Sequence, residues 1–512
     1  MAHYWADKNR QFLSRGAGPS SERVHMSSVS ATNEPEAPTA TPPAESQLRG
    51  NLGTAHLLFT VLAFNAPLAV VVGFLPVVIG YGNGIGAPMA FIAAGAIIAL
   101  FAAGFTTMAR HLPNPGGFYA YITAGLGRVV GLGSSFVALL CYYFMTIGSY
   151  AYGGLVLESL VHDTYHGPDI KWWVWGLILL AVVGTLGYLK LDLSAKILSV
   201  LLVCEVVIVL VYDACVVFKG GASGLGATSF TPHAIFSGSI GIALLYGITC
   251  FGGFEATTIF RDEVRNPDRT IPRATYLVVG LVTVLYAGGA WVMIQAVGAG
   301  KVVAAAATDP TGSFLTSLEA YSGRVTVDIV TVLLNTSIFA ALLSSHNITS
   351  RYLYNLSADR ILHRSLSRVH GRHGSPHRAS LTMSAVSLLG LAPFVVLGSD
   401  PSKLYAVLVG IFGYALIVLL VVTGIAVPVY LRRNQVAGTN PWNSVIAPVL
   451  ALVCLTITVV LATQNFNLLI SGSQSLADTM FAVVYGTFAA GVVLALVYRR
   501  TKPDVYARIG RQ

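Results

Sequence analysis

The chain has 512 residues, 54% of them hydrophobic and only 10% charged, with a net charge of +9. A soluble domain is about 25% charged, so this composition excludes an ordinary water-facing surface and describes a membrane protein. The basic balance does not point to nucleic acid, because the Lys and Arg residues lie in loops beside apolar runs, where anionic lipid attracts them.

The first 50 residues, with "SRGAGPSSERVHMSSVSATNEPEAPTATPPAES", are rich in Ser, Pro, Ala and Glu and read as a disordered tail. No apolar stretch with a cleavage site comes before the first span, so no cleaved signal peptide is expected. A bilayer-crossing helix needs about 20 apolar residues. That rule gives twelve spans, near 55–80, 86–109, 129–157, 172–189, 193–218, 236–260, 275–298, 325–349, 379–398, 403–431, 445–463 and 477–498. With a cytoplasmic N-terminus, only Lys171, Lys219, Lys301, Arg324 and Lys403 of the 31 basic residues fall outside. Cytoplasmic loops carry the excess of Lys and Arg, so both termini are expected in the cytoplasm and the protein in the plasma membrane.

The first span, "VLAFNAPLAVVVGFLP", carries Asn65-Ala66-Pro67, and Pro67 lacks the N–H that a continuous helix needs. The sixth span carries Gly252-Gly253 and then Glu255, an acid at membrane depth, where ionisable groups usually mark a pathway. Glycine accepts dihedrals that other residues refuse, and irregular backbone within a bilayer is tolerated only against protein or a water-filled cavity. Breaks in spans one and six suit two inverted five-helix repeats, in which half-helix N-termini face an anionic group and unwound carbonyls face a cation. A zwitterion fits such a site. Asn65, Ala66, Pro67, Leu68, Phe251, Gly252, Gly253 and Phe254 are therefore the expected substrate-binding residues, with Phe251 and Phe254 available to shield an ammonium. Core packing is an equal expectation for Phe254, and Tyr142, Tyr143 and Tyr246 are open to both readings. In span eight, "LLNTSIFAALLSSH" adds Asn335 as a polar liner, with Thr336, Ser344 and Ser345, though half or more of these are expected to bond backbone carbonyls.

The stretch "FGGFEATTIFRDEVRNPDRTIPRA" (251–274) closely resembles the sixth span and following loop of the amino acid–polyamine–organocation (APC) permeases. The matching parts are Gly253-Phe254-Glu255, Asp262-Glu263, Asn266-Pro267 and Ile271-Pro272-Arg273-Ala274. "LPNPGGFYAYITAGLGR" (112–128) resembles that family's loop into span three. "SRYLYNLSADRILHRSLSRVHGRHGSPHRA" (350–379) is similar to its stretch after span eight. The resemblance implies an all-α polytopic membrane protein of twelve transmembrane helices. Its LeuT-like 5+5 inverted repeat, with helices 1 and 6 broken, would occupy 51–219 and 236–433. Two C-terminal helices at 444–499 and a tail at 500–512 would follow. Span one departs from the family's Gly-rich pattern, which leaves the substrate open. Some relatives place a Lys in span five near the position a sodium ion occupies in symporters, and Glu205 aligns close to it, with Asp213 two turns along the same face.

Two acids are thus the expected proton-coupling or gating residues. Glu205 can load and release a proton, or hold a fixed hydrogen bond to a Ser or Thr of span eight. Glu255 can gate, or act as a strut between spans. Asp213, near the outer interface, is expected to be solvated. The charges from Arg261 to Arg273 read as a solvated loop, where acid–Arg pairing would latch the inner face. The loop containing His363, His370, His373 and His377 reads as an amphipathic connector and not as a metal site.

The expected function is a secondary active permease for amino acids, acting by alternating access with proton coupling as the expected energy source, and with a polyamine or amine carrier of the same fold as the alternative. A passive channel is a remote one, since no repeated filter is visible. No cofactor or metal is expected. Enzyme activity is not expected either: His56 and His346 read as span-end residues, and the other histidines fall in tails or loops.

Overall fold

In hydrocarbon an apolar run must pair its own amides, and helix is the local way to do so. The computed structural model describes residues 52–112, 116–189, 195–371, 373–436, 440–469 and 473–510, and these are overwhelmingly helical. The expected tail at 1–50, residues 113–115 of the motif before span three, Lys190, Arg372 and Arg511 lie outside the described residues. Among the described residues, eleven helices are long and apolar enough to cross a membrane, the first being Thr54–Tyr81 and the last Gln474–Thr501. The sixth predicted span is split into the short apolar helix Ile240–Thr249, a run of turns, and Ala256–Ile259.

Burial sorts the spans. Four-fifths of the apolar window of span one is enclosed (83%), whereas in span twelve only 17% is, so the first is the centre of the bundle and the last a lipid-facing flank. Spans three (Arg128–Ser159), eight (Arg324–Ala358) and ten (Pro401–Arg433) pack around the broken pair.

Three stretches expected to be loops are folded. The approach to span three is a helix, Phe118–Leu126, bounded by Gly117 and Gly127 at φ 53° and 92°. Between spans seven and eight the chain forms Val302–Thr308 and Pro310–Ser322, the latter opened by Asp309, whose carboxylate accepts the Gly312 N–H. The third is the 261–273 segment, expected to be solvated. Its second half belongs to span seven, which starts at Pro267 behind a left-handed Asn266 (φ 52°), so Pro272 sits in the second turn of that helix rather than before it. Its first half pairs with the chain entering span one: Leu52 donates to Glu263 O at 2.8 Å and Arg265 donates to Leu52 O at 2.9 Å.

The 351–378 connector is also corrected. Span eight continues as helix to Ala358, and the rest runs through turns to Pro376. Arg351 is consequently buried inside the bundle. It clamps Glu263 with two hydrogen bonds, at 2.8 and 3.2 Å, and its guanidinium lies 4.4 Å from the centre of the Phe260 ring. At the same end, the C-terminal Gly510 N–H reaches Tyr119 Oη (2.6 Å) and Asp359 Oδ2 (2.9 Å).

Removing one partner of a buried, hydrogen-bonded ion pair leaves the other charge unpaired, at about 3–5 kcal/mol. Glu263→Ala is therefore expected to lower the thermal unfolding midpoint of the purified protein in detergent strongly. Exposed Asp268→Ala, which removes a pair to Arg261 at 3.1 Å, should cost no more than about 1 kcal/mol and shift the midpoint far less. Equal effects would contradict the clamp.

Candidate binding site between the broken spans

Span one runs as helix from Thr54 to Asn65, then Ala66 turns left-handed (φ 45°, ψ 69°) and a second helix starts at Pro67. Proline suits that place because a first-turn residue has no intrahelical use for its N–H. The next donor, Leu68 N–H, points to Glu205 Oε2 at 3.4 Å, and the same oxygen accepts from Ser337 Oγ of span eight at 2.6 Å. One buried carboxylate therefore joins spans one, five and eight at a half-helix N-terminus, where the helix dipole favours negative charge.

Span six loses its regular pairing after Thr249. Phe251 and Gly252 donate back to Ile248 and Thr249, while Phe254 and Ala256 donate back to Phe251 and Gly253, each over three residues. The carbonyls of Cys250 and Gly252 are met by Asn65 instead. With its amide nitrogen toward them, Asn65 donates to Cys250 O at 3.2 Å and Gly252 O at 2.5 Å. The two breaks are thereby stitched together by a single side chain. Gly253 holds φ +89°, and a Cβ there would lie 2.6 Å from a ring carbon of Phe64, so glycine is required for both conformation and space.

Beside the stitch is a cavity of about 40 Å³, with room for roughly two or three waters. Asn65, Ala66, Thr249 and Cys250 line it from the breaks, Ser149 and Tyr152 from span three, and Tyr405 and Phe412 from span ten. Rings close both ends. Tyr152 and Tyr405 stack at 4.4 Å and 11°, with Phe74 edge-on to Tyr405. On the other side Phe64, Phe412 and Tyr142 form a triangle with centroid separations of 5.7–6.4 Å.

Behind that triangle lies Glu255, fully enclosed, with Oε1 accepting from Tyr142 Oη of span three. Both acids thus hold inter-span hydrogen bonds, and neither lines the cavity. Asp213 is half-buried, with its Oδ1 enclosed.

Of the other expected substrate residues, Asn65 and Ala66 line the cavity, while Pro67 and Leu68 build the half-helix behind it. Phe251, Gly252 and Gly253 shape the turn, with Gly252 against Phe412. Phe254 packs edge-on between Phe101 and Phe105 of span two. Asn335 lies elsewhere, donating to Thr331 O beside an apolar groove between spans three, four, five and eight. Thr336 and Ser344 also donate to backbone carbonyls, and Ser345 to Thr146. Tyr143 reaches Val386 O of span nine. His346 is not at a span end; with span eight extended to Ala358 it is buried and bonded to Ser380 at 2.8 Å.

Sequence reasoning missed Phe74, Tyr152, Tyr405 and Phe412. They are four among the chain's 46 Phe and Tyr residues, and nothing in their spacing separates cavity wall from core.

The model of the amino acid permease family matches residues 56–503. The chain belongs to that family. It is 27% identical over 237 residues to the low-affinity putrescine importer of Escherichia coli K12, a match covering 45% of this chain and half of that one. With the gamma-aminobutyric acid permease of Bacillus subtilis 168 it shares 23% identity over 409 residues, 78% of this chain and 83% of the relative. With the lysine-specific permease of Lactococcus lactis it shares 25% over 333 residues, 59% and 61%. This permease-family chain is a multi-pass membrane protein, and its relatives are transporters, not enzymes.

A left-handed glycine with no room for a methyl costs about 1–3 kcal/mol to replace. Gly253→Ala should lower the unfolding midpoint in detergent by more than Gly252→Ala, whose added methyl would crowd Phe412 (2.9 Å), Thr249 O (3.1 Å) and Leu416 (3.3 Å) but asks for no left-handed backbone. The reverse order would mean that Gly253's dihedral does not fix the break.

Proposed function

We propose that this chain is a secondary active permease that carries an amino acid across the plasma membrane by alternating access, with proton coupling through Glu205 and both termini in the cytoplasm. The observation that carries the reading is the meeting of two helix breaks at one small cavity, with their unpaired backbone groups held by Asn65 and Glu205.

The chemistry follows from what those side chains occupy. Asn65 presents the positive end of its amide to the Cys250 and Gly252 carbonyls, where a substrate ammonium would bind more strongly, since charge-assisted bonds are roughly twice as strong as neutral ones. Glu205 occupies the half-helix N-terminus that would attract the substrate carboxylate. Two anionic carboxylates at one half-helix end repel, so a proton on Glu205 removes the competitor as the substrate arrives. Release of the proton on the other side restores the competition and expels the carboxylate. Proton and substrate then move together.

Alternating access needs two closures. The Leu52–Val264 pairing and the Arg351–Glu263 clamp close the Lys- and Arg-rich face, while the Tyr152–Tyr405 stack closes the other. In this arrangement the ring stack is a thin barrier and the clamped face a thick one. Opening inward would require the clamp to part.

Glu205→Gln keeps acceptor and shape but cannot carry the proton. Reconstituted into vesicles, this variant should still exchange labelled for unlabelled amino acid. Its accumulation driven by an imposed proton gradient should fall to the level seen without one, a loss of 10-fold or more if coupling is worth at least about 1.4 kcal/mol. Gradient-driven accumulation matching that of the unaltered protein would sink the assignment of the coupling acid.

A further inference from the structure

We infer that the cavity selects amino acids with an uncharged, apolar side chain and rejects a second positive charge, with Phe74, Tyr152, Tyr405 and Val409 forming the specificity wall. The inference rests on the permease reading and narrows it to a substrate class.

The backbone carbonyls freed at the span-six break provide for one ammonium. A diamine, or an amino acid with a basic side chain, brings another, and burying an unpaired charge is strongly unfavourable. A site for such substrates needs an acid on its wall. This cavity has none: its lining is uncharged, and its polar side-chain groups are those of Asn65, Ser149 and Thr249, the Cys250 thiol and the hydroxyls of Tyr152 and Tyr405. The two nearby acids do not line it. Glu255 lies behind the Phe64–Tyr142–Phe412 triangle, with Tyr142 donating to it. Glu205 lies behind the span-one half-helix, its Oε2 shared by Leu68 N–H and Ser337.

The ammonium of a zwitterion belongs at the Cys250 and Gly252 carbonyls and its carboxylate at the half-helix end after Asn65, which leaves the side chain facing the far end of the cavity. That end is built by Phe74 and Tyr152, with Tyr405 and Val409 from span ten. Tyr152 and Tyr405 turn ring faces toward each other in their stack, so those faces are not free to receive a cation. At about 40 Å³ the cavity admits a side chain only as this stack parts. The rings therefore gate and select with the same atoms.

The test is counterflow with the full chain in vesicles, loaded with unlabelled L-alanine, L-leucine, L-phenylalanine, L-lysine or putrescine. Neutral amino acids should exchange on the order of 100-fold better than L-lysine or putrescine, the scale on which a site built for one polarity rejects another. Val409→Asp puts an acid on the wall and should shift the lysine-to-leucine ratio toward lysine by 10-fold or more. Tyr405→Ala, which removes a ring without adding charge, should favour phenylalanine over alanine and leave lysine rejected. The last variant keeps the test open if the buried acid prevents folding.

Exchange of lysine or putrescine at rates equal to leucine would overturn the substrate class while leaving the permease reading intact. Unchanged ratios in folded Val409→Asp and Tyr405→Ala would overturn the wall. If no solute of the five exchanged, the permease reading itself would fail, and the substrate class with it.

Discussion

The structure depends on one constraint: inside a bilayer, backbone polar groups must find partners, and two central helices here lack part of their own. Each unsatisfied group at that depth costs several kcal/mol. The chain meets this with two side chains, one from span one and one from span five. Asn65, the last residue of the first half-helix, crosses to the carbonyls of span six, and Glu205 meets the first donor of the second half-helix. Neither partner is covalent or rigid, so what closes the breaks can also let them go. A binding site for a solute with one positive and one negative end results from these weakly held backbone groups.

The rest of the bundle limits where movement can occur. At the basic face, spans one and six are joined by the Leu52–Val264 bridge, and span eight is tied to span six by Arg351 and Glu263. Arg261 donates to Ala109 O at the end of span two, adding another tie. At the opposite end of the cavity the closure is a stack of rings from spans three and ten. Ring stacking is worth about 0.5–1.5 kcal/mol beyond its buried area, whereas a buried ion pair resists losing either partner much more strongly. The asymmetry makes the ring side the easier one to open.

How much of this was legible in the sequence follows from the kind of signal each part carries. The spans were readable because lipid demands long apolar runs, and both breaks because Pro67 and Gly252-Gly253 are backbone punctuation that no neighbour can hide. The folded stretches at Phe118–Leu126 and Pro310–Ser322 were not, since short helices at a membrane surface have neither the length nor the strict pattern that separates helix from loop. In the 261–273 segment Arg265, Asp268, Arg269 and Arg273 are exposed, as charge density suggests, whereas Glu263 is buried by a partner 88 positions away. The cavity wall was the least legible part. Tyr152 and Tyr405 owe their role to meeting across 253 positions, and in sequence each is one more aromatic residue in an apolar run. The bond from Ser337 to Glu205 was foreseen as one of two alternatives, because an acid in a span must bond to something.

The placement of the two acids has a consequence for how charge can act on the site. Glu205 and Glu255 both lie outside the cavity, yet each bonds to a group that shapes it: Glu205 to the half-helix N–H at Leu68, Glu255 to Tyr142, whose ring packs on Phe64 and Phe412. A change of charge on Glu255 therefore reaches the substrate through ring position, and one on Glu205 through the half-helix end for which it competes with the substrate carboxylate. An acid in the wall would bind a cationic solute and respond to protons with the same group, so loading one would hinder the other. Setting both acids behind the wall separates the two tasks. The cavity can then be apolar enough to recognise an uncharged side chain while the bundle keeps titratable groups next to the breaks that must open and close.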